Sequence, residues 1–249
     1  MAKQRTAPEA VRIGTSGWHY DHWRGVFYPP DLAAKDMLAS YARHFSTVEI
    51  NNSFYRLPSN NAVSDWLAQT PDDFIFACKA SRYTTHVKRL KDAPECFAKF
   101  FPPIERLGSK LGPILFQTPP RFAPDTDRLE AFIQALPNRH LYAFEFRDQR
   151  WFRKEVYEIL RRHNCAFCIF DIGGLQSPFW VTADFAYLRL HGPGAKYQGS
   201  YSDESLLNWA SQIRSLASLD VYCYFDNDQA GFAIREALRL RRMLGTEAL

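Results

Sequence analysis

Eight short apolar runs recur along the chain, and most are followed by a stretch in which apolar residues return at intervals of three and four. The runs are VRIGTSG (11–17), STVEINN (46–52), FIFACKAS (74–81), PILFQTP (113–119), LYAFEFR (141–147), AFCIFDI (166–172), AYLRLHG (186–192) and VYCYFDND (221–228). Between them, sets such as Leu38, Tyr41, Ala42 and Phe45, or Leu129, Phe132, Ile133 and Leu136, each make one apolar stripe on a helix. Asp92 ahead of Pro94, and Pro124-Asp125 ahead of TDRLEAFI, are residue types that start helices. Only GGLQSPFWVTAD, between the sixth and seventh runs, is short, holds Pro178 and lacks a stripe.

Strand and helix alternating in this way predict parallel strands joined by right-handed crossovers. An open doubly wound sheet would carry a Gly-rich phosphate turn after its first strand. Here that turn is TSGWHYDHW. The fold predicted is therefore α/β, a single (β/α)8 TIM-like barrel over residues 11–245, preceded by a flexible segment at 1–10.

In such barrels ligands bind where the strands run out. The runs are apolar early and polar late, and counting by twos sorts each strand end into faces. Glu49 shares a face with Asn51, Ala77 with Lys79, and Ala143 with Glu145 and Arg147. Ile169 shares one with Asp171, and Tyr187 with Arg189 and His191. Gln117 and either Asp226 or Asn227 join them from the fourth and eighth runs. The opposite faces carry Phe74 and Phe76, or Tyr142, Phe144 and Phe146, which suit packing against helices. Charges of both signs at one mouth make a site or a self-neutralising ion network. A network alone would stabilise the fold little, because desolvating each ion is costly.

Composition narrows the classes. The 249 residues are 46% hydrophobic and 15% aromatic, enough for a large core, and the net charge of +4 permits an anionic partner without demanding one. The start, MAKQRTAPEA, is not a secretory signal, and no apolar run is long enough to span a membrane, so a cytoplasmic protein is expected. Five cysteines in apolar settings suit free thiols. Cys165 and Cys168 stand three apart on a strand and point to opposite faces, which suits neither metal nor redox chemistry.

The mouth's chemistry follows from its residue types. Lys79, Arg147 and Arg189 suit phosphate oxygens, and the loop HGPGAKYQGSY adds Lys196 and glycines that let backbone N–H groups approach a ligand. Trp18, Tyr20 and Tyr55 lie among the loops at the same end, where rings beside cations suit bases or sugars. Asn51, Asn52, Gln117 and His191 complete the candidate binding set. Glu49, Glu145 and Asp171 are the candidate acids or bases. A divalent metal held by Glu49, Glu145, Asp171 and His191 is not favoured, since no H-x-H or H-E-x-x-H is present. Neither Ser16 nor Ser81 sits in a nucleophile elbow.

Several blocks together, namely IGTSGWHYDHWRGVFYPP, VEINNSFYRLPS, FACKASRYTTH, LFQTPPRF, AFEFRDQRWF, YLRLHGPGAKYQGSY and CYFDND, resemble the YecE-like family, a domain of unknown function. The resemblance runs from about Ile13 to about Arg242. It implies a TIM-like barrel and no particular reaction. The residues themselves point to a hydrolase-like enzyme acting at the mouth on a phosphate-bearing small molecule or a nucleic acid. The alternatives are a non-catalytic module binding nucleic acid or protein, and a sugar-directed, glycosidase-like barrel.

Overall fold

The computed structural model describes residues 10–195 and 197–246; most of the segment expected to be flexible, and Lys196, lie outside the described residues. Its strands are β1 (Val11–Thr15), β2 (Thr47–Ile50), β3 (Ile75–Lys79), β4 (Leu111–Thr118), β5 (Tyr142–Phe146), β6 (Ala166–Ile172), β7 (Leu175–Gln176), β8 (Phe185–Leu190) and β9 (Asp220–Phe225). All but β7 overlap one of the apolar runs. They hydrogen-bond in the order β1-β9-β8-β6-β5-β4-β3-β2, each pair parallel, while β7 is an antiparallel appendage of β6. A parallel bridge between Ser16 and Glu49 joins the two ends, making a nearly closed TIM-like barrel.

The helices between strands are α1 (Met37–Tyr41), α2 (Asn60–Gln69), α3 (Ala93–Glu105), α4 (Thr126–Gln134) and α5 (Lys154–Arg162), followed by α6 (Asp203–Arg214) and α7 (Phe232–Leu244). Asp125 caps α4 by accepting a hydrogen bond from Arg128 N at 3.0 Å. Asp92 precedes α3 but takes a left-handed backbone, φ 52°, and turns its carboxylate to Lys88 instead of capping. The connection from β6 to β8 holds no helix among the described residues. Its side chains serve β6 directly: Thr182 Oγ1 accepts from Phe167 N at 2.7 Å, and Ser177 Oγ from Phe170 N at 2.8 Å.

Two apolar layers follow from strand alternation. Outward residues, including Phe74, Phe76, Phe144, Phe146, Leu188 and Leu190, pack under the helices in the large core. Inward residues Ala77, Leu115, Ala143, Cys168, Tyr187 and Tyr224 fill the lower barrel as a second, smaller cluster. Above that plug the inward positions become polar.

The junction of β1 and β2 is unlike the others. Among the described residues its ladder is the one bridge, with Gly17 N donating to Glu49 O at 2.9 Å. Below it the buried Tyr41 hydroxyl stands between the strands, accepting from Thr15 N at 3.0 Å and donating to Thr47 O at 3.1 Å. A side chain at Gly14 would collide with the Thr47 carbonyl, so glycine permits this close approach.

Candidate functional site at the barrel mouth

Directly above the inner plug lies Arg189, fully buried on β8. Its Nη1 donates to Glu145 Oε2 at 2.7 Å; its Nη2 donates to Glu49 Oε1 at 2.8 Å, Asp226 Oδ2 at 3.0 Å and Ser16 Oγ at 3.2 Å. Strands β2, β5 and β8 thus meet with the ends of β1 and β9 around one guanidinium. Glu49 also accepts from Ser16 Oγ and, at 2.6 Å, from the Tyr187 hydroxyl. Glu145 also accepts from Arg147 Nε, and Cys168 Sγ lies 3.9 Å from its Oε2. Every carboxylate oxygen of Glu49 and Glu145 is therefore already engaged. Among the described residues, only Nε of the Arg189 guanidinium lacks an acceptor.

His191, also fully buried, is held between the two signs of charge. Arg147 Nη2 lies 2.9 Å from its Nε2, and arginine can only donate, so Nε2 accepts and the proton sits on Nδ1. Nδ1 is 3.0 Å from Asp226 Oδ2 but off the axis of a hydrogen bond. Burial alone would raise the Glu145 carboxyl; Arg147 and Arg189 outweigh it and hold the group well below its ordinary range. The same contest lowers Asp226, where burial is overcome by Arg189 and then His191. Glu145 is consequently ionised at neutral pH and is no proton donor.

Lys79 differs. It is 8% exposed, and among the described residues no carboxylate lies within ion-pair distance of its ammonium, which sits 4.7 Å from the centre of the Phe54 ring. Burial first, then Arg189, lower its pKa to about 8. The turn beyond β3 carries Arg82, His86 and Arg89. His86 is pushed down to about 4 by burial and by Lys79, Arg82, Arg147 and Arg89 in turn. One side of the mouth thus sets the carboxylates of Glu49, Glu145 and Asp226 against the guanidiniums of Arg189 and Arg147, while the side above β3 carries Lys79 outside ion-pair distance of them.

The remaining candidates sit around this bowl at different depths. Asn51 donates from Nδ2 to Ser16 Oγ, while its Oδ1 and Gln117 Oε1 are buried without a hydrogen-bond donor among the described residues. Half-buried Tyr20 donates to Ser16 O at 2.6 Å. Trp18 lies edge-on to Trp66, 5.5 Å between ring centres. Trp18, Tyr20, Asn51 and Asn52 line a small hollow of about 160 Å³. Asn52, Tyr55, Arg56 and Trp66 line a larger one of about 570 Å³, in which Tyr55 is 82% exposed. A separate cavity of about 390 Å³, lined by His140, His163 and Cys165, opens where β5 and β6 begin, away from these strand ends.

Three expectations need correction or fall outside. Asp171 does not join the other carboxylates: it shares a face with Ile169, which packs in the strand–helix layer, while Cys168 points inward. Burial raises its pKa, with Tyr201 and Gln176 acting against it. AFCIFDI is apolar on both faces, so its spacing could not say which face lay inside. The glycine loop does not offer its first N–H to a ligand. Gly192 N donates to the Tyr201 hydroxyl at 3.0 Å, and the loop folds back so that Tyr197 N reaches His191 O at 2.8 Å. Lys196 lies outside the described residues.

Ser16, Tyr187 and Asp226 are the site residues that sequence reasoning underweighted. Each was legible by period two, since Ser16 follows Gly14, Tyr187 precedes Arg189, and Asp226 follows Tyr224 on inward positions. Asn227, the alternative to Asp226, instead donates to Glu236 Oε2 at 2.7 Å on the outer side. Arg189 fills the space between the carboxylates. Among the described residues no group of three or more His, Cys, Asp or Glu side chains is arranged to hold a metal ion, and no helix is long and apolar enough to cross a membrane.

Known proteins with similar chains supply the wider context. A family profile described as a protein of unknown function, DUF72, matches residues 12–249. The UPF0759 protein YunF of Bacillus subtilis is 25% identical over 273 residues, covering 95% of each chain. The UPF0759 protein YecE of Escherichia coli is 30% identical over 145 residues, covering 58% of this chain and 51% of its own. Among solved structures, a DUF72 family protein from Thermotoga maritima superposes with a TM-score of 0.85 at 32% identity, covering 94% of this chain and 99% of that one. Another from Enterococcus faecalis, at 19% identity and a TM-score of 0.81, covers 95% and 96% and shares the fold.

Proposed function

The chain belongs to the DUF72 family, whose description assigns no reaction, and from that premise we propose that it binds a phosphate-bearing small molecule at the barrel mouth and hydrolyses it. The observation that carries this reading is Lys79, a buried ammonium with no carboxylate partner among the described residues. A structural lysine at such depth would be expected to have an acidic partner, because an unpaired buried charge is costly. Here Arg189 opposes the charge, and Asp226, Glu145 and Glu49 favour it only from beyond ion-pair distance. A dianionic phosphate would supply the missing counter-charge, with Lys79 as point contact and Arg147 and Arg82 as outer donors.

In this reading Glu49 and Glu145 are the frame that holds Arg189 and Arg147 rigid, since their oxygens are already engaged. Asn51 Oδ1 and Gln117 Oε1 are acceptors waiting for a ligand hydroxyl or amide. The exposed Tyr55 beside the Trp66 hollow favours ligands that also carry a planar ring, nucleotides among them. The test is calorimetric titration of the full chain with pyrophosphate and nucleoside monophosphates, alongside a phosphoester hydrolysis panel with and without divalent metals. Binding that Lys79→Met weakens at least tenfold is expected. Equal binding by that variant would overturn the reading.

A further inference from the structure

A second cluster of titratable groups lies at the rim, outside the Arg189 network, in the loops that follow β1 and β9. The short turn Asp21–Trp23 brings His22 Nε2 to 2.8 Å from Asp228 Oδ2. The same carboxylate accepts the Trp23 indole N–H, 2.8 Å from Oδ1 and 3.0 Å from Oδ2. Trp23 is fully buried, packed against Tyr20, Phe27 and Tyr28 at ring distances of 5.0, 5.8 and 5.8 Å. Asp228 is therefore held by a fully buried indole. His22, whose side chain is 44% exposed, is the outward member of the pair.

We propose that His22, oriented by Asp228, is the general base of the mouth, taking the proton of the water that attacks a bound phosphoester. The inference rests on the hydrolytic reading above and supplies what that reading lacks. Glu49 and Glu145 have no free oxygen, and Nε2 of His191 accepts from Arg147. The 2.8 Å contact turns Nε2 towards the Asp228 carboxylate, and in this assignment Nδ1 is the basic site. As the water oxygen bonds to phosphorus, its proton passes to Nδ1 and the P–O bond to the leaving group breaks with its electrons. The imidazolium then returns the proton to the leaving oxygen. Asp228 stabilises that imidazolium without itself accepting the proton.

Two further observations tie the pair to the bowl. Tyr20, whose ring lies 5.5 Å from His22, donates its hydroxyl to Ser16 O at 2.6 Å, one residue's width from the Glu49 contact. Asp226, an Arg189 partner, is the other charged group bearing on Asp228, while Asp21 on the same turn is occupied with Arg24. Burial raises the Asp228 carboxyl to about 6, with Asp226 adding to it and the Trp23 and His22 contacts opposing. That carboxyl takes up its proton as the pH falls through about 6, and the imidazolium loses its counter-charge below that point.

The experiment is steady-state hydrolysis of p-nitrophenyl phosphate and bis(p-nitrophenyl) phosphate by the full chain, from pH 5 to 9, with His22→Gln and Asp228→Asn. His22→Gln is expected to lower kcat by a factor of about 10² or more, to leave KM within about threefold, and to abolish the acidic limb of the profile. Asp228→Asn is expected to lower kcat with KM within about threefold and to remove that limb, since the imidazolium loses its counter-charge and the titrating carboxyl is gone. Far-ultraviolet circular dichroism and melting checks keep a folding defect apart from a catalytic one. Turnover that is unchanged in folded His22→Gln overturns this assignment and leaves the hydrolytic reading standing. No turnover of either ester by the unmodified chain overturns that reading, and this assignment with it.

Discussion

Replacing Arg189 with methionine is the sharpest probe of the mouth's energetics. The substitution keeps volume but leaves Glu49 and Glu145, both fully buried, without the guanidinium that lies 2.8 and 2.7 Å away. Glu145 retains Arg147, whereas Glu49 keeps only the neutral donors Ser16 and Tyr187. Breaking a buried pair by removing one partner costs roughly 3–5 kcal/mol. For a chain of this size each kcal/mol moves the melting point by about 2–4 °C, so a fall of roughly 6–20 °C is expected. The pH dependence has a definite sign. The Glu145 carboxyl sits well below its ordinary 4.5 in the folded chain, so its stabilising share is complete above that value and is lost as pH falls through the lower, folded value. The variant lacks much of that share, so the gap between the two chains should be widest at neutral pH and narrow in acid. Urea unfolding followed by tryptophan fluorescence at pH 7.5 and at pH 4 measures both. A gap under about 1 kcal/mol at pH 7.5, or one that widens in acid, would refute the reasoning.

Other perturbations follow from the same geometry. Pyrophosphate affinity should fall as pH rises above about 8, where Lys79 loses its proton, and calorimetry on Lys79→Met should show no such limb. Tyr187→Phe removes a 2.6 Å donor to Glu49 and should cost about 1.5–3 kcal/mol in denaturant titration. Asp125→Ala should cost about 1 kcal/mol by loss of the α4 cap, while Asp92→Ala, with no cap to lose, should be near neutral. Gly192→Ala meets both a backbone at φ 105° and the Gln198 carbonyl, so it should destabilise the chain and displace the loop, readable as faster proteolysis there.

The barrel was legible because its strands carry different chemistry on the two faces. VEINN and AYLRLHG put charge on one parity and bulk on the other, so Glu49, Arg189 and His191 could be placed inward from spacing alone. AFCIFDI has no such asymmetry, and Asp171 went to the wrong face for that reason. Pairing inside the bowl was not legible. Nothing in the order of residues tells that Arg189 satisfies three carboxylates while Lys79 satisfies none among the described residues, because that depends on strand register and tilt. The His22–Asp228 contact joins positions more than two hundred residues apart and rests on a turn with no periodic signal. Asp92 shows the local limit: the residue type suited a cap, but Lys88, four residues back, offered the carboxylate a better partner.

The seam where β1 meets β2 has a thermodynamic corollary. Ser16 and Glu49 form its one bridge among the described residues and also hydrogen-bond Arg189, so parting those strands also loosens the bowl. A molecule that engages the assembled bowl binds only the shut ring, and by mass action it pulls the clasp tighter. Amide exchange at Gly17 would then slow with occupancy while the opposite wall, where β4 and β5 share a five-residue ladder, stays unchanged.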